Sequence, residues 1–266
     1  MRRRATLLWP IAALLYGFMY LPIMVVIVFS FNSAKHGGPW RGFTTDWYAR
    51  LFDNPDKLLA VKNTIVLGLS STAVATILGT LLGYGLSRYR LPGKGLFSLM
   101  MFIPVVIPDV VMAVAMLSLY SMARTYLGLF ELGMTTMVIA HITFQIPFVA
   151  IVVRSRLAGM DASIEEAAHD LGATTWRTFM NVTLPLIMPG VLAGAMLAFT
   201  LSLDDFVVSF FTTGPGATTL PILIYSSVKR GITPDINALS SLIVAASVVG
   251  VVGMAALQRP RRRVGG

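Results

Sequence analysis

The sequence contains no cysteine, which removes disulfides, thiolate metal sites and cysteine nucleophiles together. It is also short of charge. Only 12% of its 266 residues are charged, against about 25% in an ordinary globular domain, while 56% are hydrophobic. With a mean hydropathy of +0.75, this balance excludes a soluble enzyme and describes a membrane protein. Acids are the scarcer sign, 12 against 21 Lys and Arg. The resulting net charge of +9 would by itself suggest a polyanionic partner. The phosphate-cradling run Gly-x-x-x-x-Gly-Lys-Ser/Thr is missing as well: Gly93-Lys94-Gly95 lacks its remaining positions, so the chain has no nucleotide site of its own. The three histidines, His36, His141 and His169, fall in separate places and form no ligand cluster. No catalytic constellation is legible.

What is present is long apolar segments. A helix needs about 20 mostly apolar residues to cross about 30 Å of hydrocarbon. Six segments qualify: 7–31, 64–86, 96–120, 132–153, 187–211 and 236–257. The connecting loops are too short to hold a soluble domain, so residues 1–266 read as one all-α transmembrane domain. The apolar stretch after Arg2, Arg3 and Arg4 is longer than a signal-peptide core and lacks a small-x-small cleavage site, which reads as a retained anchor. Most of the basic residues, including Arg88, Arg90, Lys94, Arg154, Arg156, Arg177, Arg259 and Arg261–Arg263, fall on one side if the amino terminus is inside. Both termini are therefore expected in the cytoplasm, and the excess positive charge is a topology signal that needs no nucleic acid. On the outer side, the aromatic-rich residues 39–52 read as an amphipathic segment at the interface, with a cation-binding aromatic box as the alternative.

Three acids lie inside apolar spans: Asp109, Asp204 and Asp205. Each would cost roughly 2.5–3.5 kcal/mol near the bilayer centre if it faced lipid. Counting 1.5 Å per residue puts Asp109 about 20 Å beyond Leu96 and Asp205 about 22 Å beyond Gly190, both in the outer half of the membrane. No basic residue lies in the middle of a span to neutralise them, and a cationic solute would. The competing reading is that they cap broken helices or bond to nearby amides, which Pro108 before Asp109 makes credible. Adjacent residues on a helix diverge by about 100°, so Asp204 and Asp205 share one path only if the helix unwinds there. Pro104 and Pro108 should bend the third span, as a packing kink or as a hinge.

The cytoplasmic loop 154–186 is patterned for helix. Ser163-Ile-Glu-Glu166 has the form of a capping box, after which Ile164, Ala167, Ala168 and Leu171 mark one face and Glu165, Glu166, His169 and Asp170 the other. Gly172 ends this helix, and a second short one is expected from Thr175, with Trp176, Phe179 and Met180 on one side. Glu166-Ala167-Ala168, three residues, Gly172, nine residues, then Val182-Thr183-Leu184-Pro185 closely resembles the EAA loop of ATP-binding-cassette importer permeases, departing only in Val182 for isoleucine. Ser30-Phe31-Asn32-Ser33, Phe43 to Tyr48, Pro108-Asp109, His141 to Phe144 and Phe199 to Asp205 extend the resemblance to spermidine/putrescine permeases over nearly the whole chain.

The resemblance implies a type I importer permease fold of six transmembrane helices with cytoplasmic coupling helices, in a bacterial inner membrane. Such permeases work beside a second, similar permease, two cytoplasmic ATPase subunits that use ATP and Mg, and a periplasmic polyamine-binding protein. It implies no cofactor bound by this chain. It assigns coupling to the ATPase to Glu166, Ala167, Ala168, Gly172, Leu184 and Pro185, and makes Asp109, Asp204 and Asp205 candidates for a polyamine path. Related importers for other small solutes share fold and loop. An autonomous secondary transporter or cation channel would use the same acids, but would have no need of a docking helix for a motor.

Overall fold

The computed structural model describes residues 2–34, 38–89, 92–231 and 233–257, with side chains described within 9–249. His36, Arg90, Arg259 and Arg261–Arg263 lie outside the described residues, as do the side chains of Arg2, Arg3 and Arg4. The regular secondary structure among the described residues is all helix, apart from one isolated bridge between Asn32 and Phe43. In hydrocarbon an unpaired backbone amide costs several kcal/mol, and a helix is the element that satisfies its amides within a single segment. Five helical stretches are long and apolar enough to cross a membrane: 9–29, 55–88, 109–127, 134–158 and 175–204; Lys94–Val106 is a shorter apolar helix, and the last helix, Pro234–Leu257, is apolar over the part whose side chains are described, 234–249.

The chain divides into two compact units, residues 1–58 with 224–266, and residues 59–223. In the first, α1 (Arg2–Phe29) and α2 (Asp46–Phe52) both pack on α12 (Pro234–Leu257). The loop before α2 is organised around Asn32, whose side chain accepts from the amides of Ala34 and Arg41 and whose carbonyl accepts from Trp47 Nε1 at 2.8 Å. Phe31 stacks on Phe43 at 5.2 Å. The chain's own Arg50 lies over one face of Trp47, 5.0 Å from the ring centroid. Lys57 pairs with Asp235, joining the start of α3 (Pro55–Arg88) to the start of α12.

The second unit is centred on α6 (Met134–Ala158). Its Val149, Val153 and Leu157 pack fully buried against Ile187, Val191 and Ala198 of α9 (Leu184–Asp204). Helices in lipid gain little from hydrophobicity alone, so they depend on close packing and interhelical hydrogen bonds. Gly79 and Gly83 supply the first: a Cβ on Gly79 would sit 2.7 Å from Val149 Cβ, and one on Gly83 2.9 Å from the carbonyl of Ala150. Gln145 Nε2 supplies the second, donating to Ser71 Oγ on α3 and to the Ala198 carbonyl on α9. The outer loop 213–219 is held by Asn63, whose amide donates to the carbonyls of Gly216 and Thr218, both at 2.9 Å.

Two expected spans are interrupted. The stretch 96–120 is two helices, α4 (Lys94–Val106) and α5 (Asp109–Leu127), broken at Ile107-Pro108 because the residue before a proline is pushed into an extended conformation; Ile107 has ψ 136°. Pro104 stays inside α4 without ending it. The stretch 187–211 stops at Asp204 and resumes as α10 (Val207–Thr212), with Asp205 extended at ψ 121°. The second cytoplasmic helix is not separate either. Thr175–Thr178 (α8) runs through a π-helical turn, Phe179–Thr183, directly into α9.

Gly79→Val should lower stability by about 1–3 kcal/mol through overpacking against Val149. The check is thermal unfolding in detergent, beside Gly85→Val, where a Cβ meets nothing within 4 Å and little change is expected.

Candidate functional site

Both interruptions open onto one cavity of about 320 Å³ in the second unit. Its walls include Pro104, Asp109 and Met112 from the first break, Asp204, Asp205 and Phe206 from the second, and Phe144 and Phe148 from α6. The three intramembrane acids, up to 96 residues apart in sequence, are therefore brought together. Their placement follows from local chemistry. Asp109 occupies the first turn of α5, where the exposed amides and the helix dipole favour a negative charge. Asp205 precedes α10 and accepts from the amides of Val208 at 3.2 Å and Ser209 at 2.7 Å. Unwinding at Asp205 removes the 100° divergence that a continuous helix imposes, so Asp204 and Asp205 both line the cavity.

The two carboxylates nonetheless differ in environment. Asp205 is 9% exposed, and its Oδ2 also lies 3.3 Å from His141 Nε2. His141 is fully buried inside the helix bundle. Its Nδ1 bonds to Ser202 Oγ at 2.8 Å and its Nε2 to Ser209 Oγ at 3.0 Å. Ser202 Oγ lies 3.5 Å from Ser71 Oγ, which accepts from Gln145. A polar knot thus ties α3, α6, α9 and α10 together directly beside the cavity, with Asp205 as its anionic member. Asp204 and Asp109 are exposed and take part in no ion pair among the described residues. The acid that caps α10 is therefore Asp205, and the two without an ion-pair partner among the described residues are Asp109 and Asp204.

The aromatic lining was not read from the sequence. Phe144 and Phe148 stand four residues apart on the face of α6 that also carries His141 and Gln145, spaced i, i+3, i+4 and i+7. That polar and aromatic stripe in an apolar span was the available signal. No group of three or more acidic, His or Cys residues suited to a metal occurs among the described residues.

The cytoplasmic segment carries a second surface. Helix α7 (Ser163–Asp170) begins at Ser163, but the expected capping box is absent: no side chain caps at Ala162, and the Ser163 amide donates instead to Asp161 Oδ1 at 3.0 Å. That bond holds the Asp161 carboxyl below its usual range. Glu165, too, is not on the solvated face expected of it. It is buried, its Oε2 lies 2.7 Å from Arg88 Nε, and its Oε1 accepts from Thr183 Oγ1 at 2.6 Å. The apolar members point the other way, with Ile164 at 41%, Trp176 at 64% and Leu171 at 89% exposed. Glu166, Ala167 and Gly172 are also exposed, as is Pro185 in the first turn of α9, while Ala168 and Leu184 are half-buried. Gly172 has φ +83°, the left-handed region in which a side chain is strained.

Interrupted membrane helices around an acid-lined cavity, with a short helix turning its apolar face outward, define a transport permease. The chain belongs to the family of binding-protein-dependent transport system inner membrane components, which matches residues 75–264. It is 42% identical to the spermidine/putrescine transport system permease protein PotC of Escherichia coli K12, over 94% of this chain and 92% of that one. It is 44% identical to the putrescine transport system permease protein PotI of the same organism, over 93% and 89% respectively. A solved bacterial ABC transporter involved in the import of the acidic polysaccharide alginate shares the type I permease fold, with TM-score 0.74 over 99% of this chain and 98% of that one at 21% identity.

His141→Leu leaves the Asp205 carboxylate and two serine hydroxyls without their partner, and should cost about 1–3 kcal/mol for each group left unsatisfied. Asp204→Asn should change stability by no more than about 0.5 kcal/mol. Thermal unfolding of the two variants in detergent tests this asymmetry.

Proposed function

We propose that the chain is the permease subunit of an ATP-driven, binding-protein-dependent importer that moves polyamines inward. The observation that carries this reading is the cavity lined by phenylalanines together with two carboxylates, Asp109 and Asp204, that have no cationic partner among the described residues. Anions left unneutralised within a membrane domain call for a cation. A polyamine matches both features: each ammonium donates charge-assisted hydrogen bonds to a carboxylate, and the methylenes lie against Phe144, Phe148 and Phe206. The identities of PotC and PotI, named for spermidine and putrescine, support the same cargo. Asp205 serves the path by holding its wall in place.

The whole chain acts as one permease domain in the inner membrane, with both termini cytoplasmic. Its partners are a second homologous permease, two cytoplasmic ATPase subunits that use ATP and Mg, and a periplasmic polyamine-binding protein. The outward-facing Ile164, Ala167 and Leu171 of α7 enter a groove on the ATPase, with Glu166 and Ala168 beside them. Gly172 lets the chain turn sharply after that helix, and Leu184 with Pro185 starts the spanning helix that the docked segment moves. Closure of the ATPase then rocks the bundle through a rigid helical connection.

The reading is tested by reconstituting the complex in liposomes and measuring binding-protein-stimulated ATP hydrolysis and uptake with putrescine, spermidine and a neutral solute. Stimulation by the polyamines alone is expected, and equal stimulation by the neutral solute would overturn it. Asp109→Asn and Asp204→Asn should each reduce polyamine uptake about tenfold, the scale of one lost charge-assisted hydrogen bond, with assembly intact. Gly172→Val should cost about 1–2 kcal/mol of local strain and reduce uptake, measured beside copurification of the ATPase.

A further inference from the structure

Glu165 has no place in the cavity and does not belong to the exposed face of α7, yet it is the buried acid of the cytoplasmic segment. Its two oxygens are divided between two spanning elements: Oε2 faces Arg88 at the carboxyl end of α3, and Oε1 receives the hydroxyl of Thr183. Thr183 is the last residue of the π-helical turn from which α9 continues to Asp204 at the cavity. Single π turns within α-helices are places where a helix can change register. Tyr84 on α3 packs against Phe179 of the same turn, ring centroids 4.7 Å apart, which makes this junction a closed contact between α3, α7 and the base of α9.

We propose that Glu165 is the positioning residue that transmits displacement of α7 to α3 and α9, by gripping Arg88 with one oxygen and the π turn with the other. This rests on the reading that the exposed face of α7 docks on an ATPase. A flexible hinge at this point would absorb the motion, whereas a buried two-sided polar clamp passes it to the helix that ends at the cavity.

The test uses the assembled importer in liposomes. Glu165→Gln should leave copurification of the ATPase unchanged and reduce binding-protein stimulation of ATP hydrolysis about tenfold, within the usual range of site-to-site coupling. Thr183→Val keeps the ion pair and should reduce stimulation as well. Arg88→Gln combined with Glu165→Gln should be no worse than either single change, because the pair acts as one unit. Wild-type stimulation in Glu165→Gln, additive losses in the double variant, or loss of assembly with no change in the stimulation of what does assemble would each overturn the proposal. Leu171→Asp is the separate control for docking. If it assembles and transports normally, the docking reading fails; if it loses the ATPase while Glu165→Gln couples normally, docking stands and the transmission role falls.

Discussion

An interrupted helix inside a bilayer frees backbone amides where no water can take them, and everything around the cavity follows from how those amides are satisfied. Asp205 does this for α10 by accepting from Val208 and Ser209. A buried carboxylate is itself expensive, so it needs a further partner, and His141 provides one while its other ring nitrogen reaches Ser202. The knot is thus a chain of obligations, each group present because the one before it required a partner. Its effect is to keep a helix broken at one defined residue. At that break Asp204 lines the same cavity as Asp109, which stands at the other break, and neither has a counter-charge among the described residues. Rigidity at Asp205 and incompleteness at Asp204 belong to the same local structure.

The cytoplasmic end follows the same logic with different residues. A short amphipathic helix would ordinarily lay its apolar face on its own bundle. Here Leu171 and Ile164 stay exposed and Glu165 is inside, held by Arg88 and Thr183. Exposed apolar residues beside a rigidly anchored acid are economical only where another surface covers them. Between this anchor and the cavity runs α9, one continuous helix from Leu184 to Asp204, bedded on α6 by buried aliphatic packing. A displacement at the π turn therefore has a stiff path of 21 residues to the acids at its far end.

Membrane residence was legible in composition, and the span segments in hydropathy, because both depend on transfer free energies that sum along the chain. The glutamate–alanine–alanine loop was legible as helix ended by Gly172. The helix breaks were only half legible: Pro108 announced one, but nothing in Leu203-Asp204-Asp205-Phe206 marks the other. The partner that meets Asp205 there, a histidine 64 residues earlier in the chain, is a tertiary neighbour. Glu165 was misplaced for a similar reason. Periodicity assigned it to a solvated face, since a helical wheel does not contain Arg88. The capping box failed because Asp161, two residues before the helix, captured the Ser163 amide first.

By itself, the sequence determined that this chain lives in a membrane, that three acids inside it needed an explanation, and that one short helix carries the glutamate–alanine–alanine pattern. These are properties of residue type and short-range spacing. Only the tertiary structure decided which acid is spent on holding a helix end and which two remain unpaired, and on which side of α7 the buried charge lies. Those outcomes depend on whether a partner such as His141 or Arg88 arrives within about 3 Å, and that proximity arises only when distant helices pack.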